Sequence, residues 1–419
     1  MTTIAKDAAS ATGRGKRRRE RDAVRQTVRV TVIAQDPSVR DDAGRILTTE
    51  VDVPAEHLEP GPLGARFYVV DYDPDVGTLA PPAEFDLEKG NPFPRPVANK
   101  TLTGDPRFRA LNVYAIAART LATFEAALGR RLEWASRDHQ INLVPRAFAE
   151  LNAYYSPEDG AIYFGHEEGR DGEVQTALSH DIVAHETTHA VLDGLRPRYN
   201  EPGLPDQPGF HEALGDIVAL LSVFSLADVV QHLLGKADEQ GRLRNEDVTP
   251  ESLRAGALFG LAEELGADKE SRGRLRRSGR GSSLRRSADI KPSPKLLGLP
   301  EFQEAHRRGE IVVAAVMQTL LSIWTVRLAD LLGDEGPNRA RVAEEGARAA
   351  GQLLRMVIRG IDYMPPVELE FSDVVEGIVK ADEVVAPDDQ RGYRSMLVEV
   401  FSAFGIERPK YGIVDVSGQ

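Results

Sequence analysis

Two histidines four residues apart, with a glutamate directly after the first, lie within SHDIVAHETTHAVLDGL, residues 179–195. On a helix, His185 and His189 project from the same face one turn apart, so both imidazoles can reach one metal ion. Glu186 then lies beside the ion without binding it, where it can hold a water molecule against the metal. The alternative is an ordinary helix that carries two imidazoles. The spacing favours a metal site that needs at least one more ligand.

The stretch GFHEALGDIVALL, which begins at residue 209, offers that ligand. A catalytic zinc takes three protein ligands and leaves the fourth position to water. Glu212 at the head of a second helix would complete a His, His, Glu set. Asp216, four residues later on the same face, could accept the outer N–H of a ligand histidine and fix its tautomer. The alternative is that both acids only stabilise a helix N-terminus, where acidic residues are common.

Composition limits what kind of site this can be. The chain has 419 residues and no cysteine, so disulfides and thiolate ligands are excluded and a transition metal must use His, Asp or Glu. The formal net charge of -13 argues against a nucleic-acid-binding body, which needs clustered positive potential. Two basic runs, 14–25 and 271–286, are typical of a solvated tail and a surface loop. We therefore expect no nucleic-acid partner.

The elements that must position these residues change in character along the chain. Residues 1–26 are predicted to be a basic, disordered tail. Residues 27–178 form a strand-rich N-terminal lobe with one long helix, NVYAIAARTLATFEAALGRRLEW, and a hairpin around LNAYYSPEDGAIYFG. Residues 179–419 carry the metal helix and several segments of helical period. The sequence thus predicts an α+β fold with no membrane span. No signal peptide precedes the first strand, so we expect a cytoplasmic protein, with secretion by a signal-independent route left open.

Six segments in this order resemble the thermolysin family of zinc metallopeptidases, a branch of the gluzincins. DIVAHETTHAVLDG is similar to that family's zinc helix and HEALGDI to its second zinc helix. LNAYYSPEDGAIYFG resembles its substrate-aligning edge strand, SLRRSADI its arginine segment, EFQEAHRRGEIVVAAV its catalytic-histidine segment and IDYMPP a late signature. The resemblance covers about residues 105–405. It implies a thermolysin-like, two-lobed fold with the zinc helix between a strand-rich and a mainly helical lobe.

The resemblance also implies an activity, hydrolysis of internal bonds in a peptide or protein substrate, with a preference for an apolar residue after the cleaved bond. Zn²⁺ would be the cofactor, held by His185, His189 and Glu212. Glu186 would act as general base. Tyr199 and His306 would stabilise the oxyanion, with Glu301 in the place of the family's orienting aspartate. The substrate-binding positions that it implies are Asn152, Ala153, Arg285, Ile182 and Leu284.

Some points stay open at this level. Arg285 lies in an arginine-rich run, and a register slip of one residue would put Arg286 in its role. The stretch VALLSVFSLADVV is nearly free of acids, so the family's paired calcium site is not expected and calcium is doubtful. A catalytically idle relative that serves as a binding or scaffold module is the alternative function. A zinc aminopeptidase is disfavoured because the chain has no G-x-M-E-N string.

Overall fold

A computed structural model describes residues 27–73, 76–136, 139–169, 172–201, 203–258 and 286–409. The fold is mixed α+β, as the sequence predicts. Its first unit is an antiparallel hairpin of β1 (Thr27–Ile33) and β2 (Thr48–Pro54), in register from Thr27 opposite Pro54 to Ile33 opposite Thr48. Valines alternate along both strands, and those that face inward are fully or almost fully buried.

The main sheet has five strands, β3 (Phe67–Val69), β6 (Ile141–Phe148), β7 (Ala153–Ser156), β8 (Ala161–Gly169) and β9 (Gly172–Gln175). A separate small ribbon is formed by β4 (Tyr72–Asp73) and β5 (Thr78–Leu79). The order is β3-β6-β8-β7, with β9 also paired to β8. The predicted hairpin is confirmed, because β7 and β8 pair antiparallel from Ala153 opposite Phe164. β7 is an edge strand, so one side of its backbone is not used by the sheet.

Ten helices that lie wholly within the described ranges cover this sheet and one another. They are α1 (Asn99–Gly104), α2 (Pro106–Leu128), α3 (His180–Leu195), α4 (Asp206–Phe224), α5 (Ala227–Leu233), α6 (Pro250–Leu253), α7 (Ala305–Leu328), α8 (Arg339–Gly360), α9 (Phe371–Val385) and α10 (Tyr393–Ala403). One cluster of buried apolar residues extends from the N-terminal hairpin to the last helix. The predicted domain boundary at residues 178 and 179 stays a prediction.

Two helical segments end earlier than their apolar pattern indicates. The sequence predicts a long helix as far as Trp134, but α2 ends at Leu128 because Gly129 adopts a left-handed conformation. Trp134 is nevertheless buried, in the chain that returns to the core. The segment after Glu212 breaks between α4 and α5, which meet at 85°. Apolar periodicity reports burial, and it continues through a bend when both sides of the bend are buried.

Helices α4 and α7 cross at very short range. A Cβ added to Gly309 of α7 would lie 2.5 Å from the carbonyl oxygen of Gly209 in α4, closer than any real contact. Gly209 lies three residues before Glu212, and Gly309 lies three residues after His306. The two helices therefore touch backbone to backbone about one turn from each of these side chains.

The run Ala305–Leu331, which contains α7, is long and apolar enough to cross a membrane by length and composition. Within its most apolar window, 72% is buried inside the protein. A core helix that is covered on all sides has the same composition. The expectation of no membrane span stays a prediction.

Candidate metal centre

His185, His189 and Glu212 come together into a group that could hold a metal ion, which we call the metal group. The two histidines lie on α3 and their Nε2 atoms are 2.9 Å apart. Glu212 comes from α4, with Oε2 3.8 Å from Nε2 of His185 and Oε1 4.0 Å from Nε2 of His189. Both histidines are buried and Glu212 is partly exposed. Two imidazole nitrogens and a carboxylate thus converge on one point.

Asp216 and Gly215 fix the ring of His185. Oδ1 of Asp216 lies 3.0 Å from Nδ1 of His185, so the ring presents Nε2 to the group. Gly215 is needed for this approach, because a Cβ there would lie 2.7 Å from Cε1 and 2.8 Å from Nδ1 of the same ring. Helix α4 therefore supplies a candidate ligand, a carboxylate bonded to His185 and the space for that ring within five residues, Glu212 to Asp216.

Glu186 is fully buried and faces the edge of the sheet. Its Oε2 accepts a hydrogen bond of 3.1 Å from the backbone N–H of Tyr155 in β7. Backbone groups of a strand alternate in direction, so Ala153 and Tyr155 both point their N–H groups away from β8. The N–H of Ala153 is held by the side chain of Asn152, at 3.0 Å. The free edge of β7 therefore runs past the glutamate of the H-E-x-x-H string.

A second hydrogen-bonded contact between β7 and α3 was not predicted from the sequence. The hydroxyl of Tyr155 donates to Oδ2 of Asp193, at 3.0 Å, and Nδ2 of Asn200 donates to Oδ1 of the same carboxylate, at 2.7 Å. Asp193 lies one helical turn after His189. Tyr155 thus contacts α3 at two points, by its backbone on Glu186 and by its hydroxyl on Asp193. The position of Asp193, four residues after His189 on the same helix face, was the sequence signal that could have indicated this residue.

His306 lies beside the metal group, at the start of α7. Its Nε2 is 3.2 Å from Oε2 of Glu212 and its Nδ1 is 2.8 Å from Oε1 of Glu304. The hydrogen bond to Glu212 raises the pKa of His306 to about 9 against the opposing effect of burial, and Glu304 adds to the rise. Burial alone would raise the pKa of Glu212, but His306, His189 and His185 together lower it well below its usual value.

The acid that contacts His306 is Glu304, whereas the resemblance implied Glu301. Glu304 is the N-cap of α7 and accepts the backbone N–H groups of His306 and Arg307. Its carboxylate therefore lies directly against a histidine two residues later. Glu301 is exposed in a separate 3₁₀ turn, Pro300–Phe302.

The hydroxyl of Tyr199 bonds to another part of the fold rather than to His185, His189 or Glu212. Tyr199 lies in the 3₁₀ turn Pro197–Asn200, is 1% exposed, and donates its hydroxyl to the carbonyl of Pro365 at 2.6 Å. Burial raises its pKa to about 12, against the influence of nearby Arg196. The hydroxyl is therefore a neutral hydrogen-bond donor that is already occupied. The oxyanion role of Tyr199 stays a prediction.

The remaining substrate positions are partly described. Ile182 lies on α3, one turn before His185, and is partly buried against the core. Leu284 and Arg285 lie outside the described residues. Arg286 bonds through Nε to Oε1 of buried Glu310, at 2.8 Å. Of the two arginines considered from the sequence, Arg286 is thus tied to α7, four residues after His306.

His211 is a further neighbour, to which the sequence assigned no role. Its ring stacks on that of His189, with centroids 4.4 Å apart and planes 6° from parallel. Its Nδ1 lies 4.0 Å from Oε1 of Glu212. Burial lowers its pKa, so the ring is uncharged at neutral pH and can pack flat against a neighbouring imidazole. His211 thereby restricts the rotation of His189.

Comparison with protein-family models gave no match, and comparison with curated proteins gave none either.

Proposed function

We propose that this chain is a zinc-dependent endopeptidase with a thermolysin-like fold and active site. The observation that carries the proposal is a glutamate held against the free edge of a strand, next to a His, His, Glu group. Glu186, bonded to the N–H of Tyr155, lies between the two histidines that converge with Glu212. A metal site with a carboxylate that does not ligate and a strand edge open to a peptide is what hydrolysis of an extended chain requires.

The donor set fits zinc. Tetrahedral ligands at about 2.0–2.1 Å from zinc are about 3.3 Å from one another. The three separations here, 2.9, 3.8 and 4.0 Å, bracket that value, so side-chain shifts below about 1 Å would close the group around the ion. The bond from His185 to Asp216 supports the same assignment, because ligand histidines usually donate their second N–H to a carboxylate.

Each residue of the site would then have its own role in hydrolysis. Bound zinc would supply Lewis-acid chemistry, lowering the pKa of water and polarising the scissile carbonyl. Glu186 would accept the proton of the attacking water and pass it to the leaving amine. His306, oriented by Glu304, would donate a hydrogen bond from Nε2 to the developing oxyanion once Glu212 turns from that nitrogen to the zinc. Tyr199 could join it only after releasing the carbonyl of Pro365.

The edge strand would align the substrate. A peptide that adds to β7 can pair with the backbone of residues that face outward, which alternate every second residue. Ala153 and Tyr155 are two such residues, and a peptide would take over their N–H groups from the side chains of Asn152 and Glu186. The released side chain of Asn152 could then bond the peptide. Ile182, with Leu284, would form the wall that receives an apolar side chain after the cleaved bond.

The test is a comparison of Glu186→Gln with the wild type for metal content and for hydrolysis of a peptide library. We expect one zinc per chain in both proteins and a fall of about 10²- to 10⁴-fold in cleavage rate for the variant, the usual contribution of a general base. Glu301→Gln is the matched control, because Glu301 is exposed and should leave cleavage unchanged. If the wild type binds zinc one to one and cleaves nothing, the binding or scaffold module replaces the peptidase.

A further inference from the structure

A cavity of about 590 Å³ lies between α2, the carboxyl end of α4, α7 and α8. Four arginines line it, Arg119 from α2, Arg327 from α7, and Arg348 and Arg355 from α8. The cavity wall, all of it within the described ranges, contains no acidic residue and no aromatic ring. None of the residues of the metal group contributes to it.

Two of these arginines are paired and two are not. Arg327 and Arg348 share the carboxylate of Glu345, at 2.6 and 2.7 Å. In the described part of the chain, Arg119 and Arg355 form no ion pair. Arg119 contacts only neutral groups, the hydroxyl of Ser225 at 2.9 Å and, at 3.4 Å each, the carbonyl of Ser222 and Nε2 of His180. Within the described residues, no carboxylate is therefore bonded to the guanidinium group of Arg119 or of Arg355.

The electrostatics of Arg119 agree with this. Burial lowers the pKa of Arg119 to about 10, with a partial offset from Asp52, whereas Arg355 is exposed at the cavity. A lowered pKa in a guanidinium means that its charge is poorly compensated, which a bound anion would relieve. The excess of positive charge at this cavity is local, since the whole chain has a formal net charge of -13.

We propose that this cavity binds a small polyanion that carries phosphate or carboxylate groups. Guanidinium groups bind both by paired N–H donors in a fixed fork. The volume lies within the range of about 300–1,000 Å³ that small-molecule sites occupy. Without an aromatic ring in the wall there is no platform for a nucleobase, so the ligand is a compact anion such as pyrophosphate or a tricarboxylate. The site is separate from the metal group and does not depend on the proposed peptidase activity.

The test is calorimetric titration of the full chain with pyrophosphate and, separately, with citrate at constant ionic strength. We expect saturable one-to-one binding of at least one of them, and the arm that binds identifies the phosphate or the carboxylate ligand. Arg355→Gln should weaken binding about tenfold or more, the effect of losing charge-assisted hydrogen bonds. Arg359→Gln is the matched control. It lies one turn away on α8, makes the same change in net charge and does not line the cavity.

A second variant keeps the test independent of folding. A Cβ at Gly351 would meet only Nη1 of Arg355, at an ordinary 3.6 Å, so Gly351→Glu fits the helix and brings a carboxylate into the cavity. It should unfold at no lower temperature than the wild type and lose binding of both anions. The proposal is overturned if neither anion binds saturably in the millimolar range, if Arg355→Gln and Arg359→Gln weaken binding equally, or if folded Gly351→Glu binds as the wild type does.

Discussion

Gly215→Ala should weaken metal binding without unfolding the protein. The added Cβ would lie 2.7 Å from the ring of His185, where an ordinary contact begins at 3.4 Å, so the ring must withdraw by about 0.7 Å (3.4 minus 2.7). Metal–ligand distances tolerate only about 0.2 Å. The same movement would stretch the bond of 3.0 Å between His185 and Asp216.

The expected fall in zinc affinity follows from the displaced ring of His185 and its stretched bond to Asp216. Disturbing an outer-shell partner of a ligand lowers metal affinity by about 10- to 100-fold, which is about 1.4–2.8 kcal/mol. The stability of the metal-free protein should change far less, because alanine is about 1 kcal/mol better than glycine within a helix and offsets the clash. The fall in affinity should therefore appear in a protein that unfolds near the wild-type temperature.

The assay is a zinc titration against a competing chelator, together with thermal unfolding of the metal-free protein. Gly351→Ala is the matched control, because its Cβ has only an ordinary contact at 3.6 Å. It should gain about 1 kcal/mol of stability and bind zinc as the wild type does. Wild-type zinc affinity in a folded Gly215→Ala protein would refute the argument that this glycine makes room for His185.

Three further predictions concern other parts of the site and its supports. In the metal-free protein, Glu304→Gln should lower the NMR-measured pKa of His306 from about 9 and Glu301→Gln should not; a response to Glu301→Gln would restore the family's assignment. Burial, with help from Arg119, lowers the pKa of His180 to about 3 from its usual value near 6.5, so the folded form stays neutral where the unfolded chain takes up a proton. The contribution of His180 to stability is therefore fully present above the pKa of the unfolded chain, and it falls as pH drops below that pKa, by up to about 1.4 kcal/mol per pH unit. Urea unfolding at several mildly acidic pH values should show that the unfolding free energy of His180→Gln depends less steeply on pH than that of the wild type. Equal pH dependence in the two proteins would contradict the assignment. Tyr155→Phe should lose about 0.5–1.5 kcal/mol of stability with its hydroxyl donor, measured by urea unfolding, and an unchanged midpoint would mean that this bond contributes nothing.

The position of His185 and His189 on one helix face could be predicted because it depends on short-range periodicity. Helical spacing alone brings the two histidines to one face, and the same spacing separates Glu212 from Asp216 on the next helix. The hairpin of β7 and β8 could also be predicted, since alternating residues around a turn indicate one, whereas the edge position of β7 was implied only by the resemblance. The approach of Glu212 to the two histidines does need α3 and α4 to pack side by side, and it was expected only because a catalytic zinc takes a third protein ligand.

The features that could not be predicted depend on where elements begin or on contacts across the fold. Glu304 orients His306 because α7 begins between them, and helix starts are among the least certain features of a sequence. The hydroxyl of Tyr199 faces Pro365, which is 166 residues away along the chain. The stack of His211 on His189 requires α3 and α4 to lie side by side, which neither helix reveals alone.

The contact between Gly209 and Gly309 has a consequence for redesigning this protein. The spacing between the helix that carries Glu212 and the helix that carries His306 is set by main-chain atoms that are already in contact. Smaller apolar side chains elsewhere in the interior therefore cannot bring these two helices closer together. Any side chain at Gly309 would push them apart, and Glu212 and His306 with them.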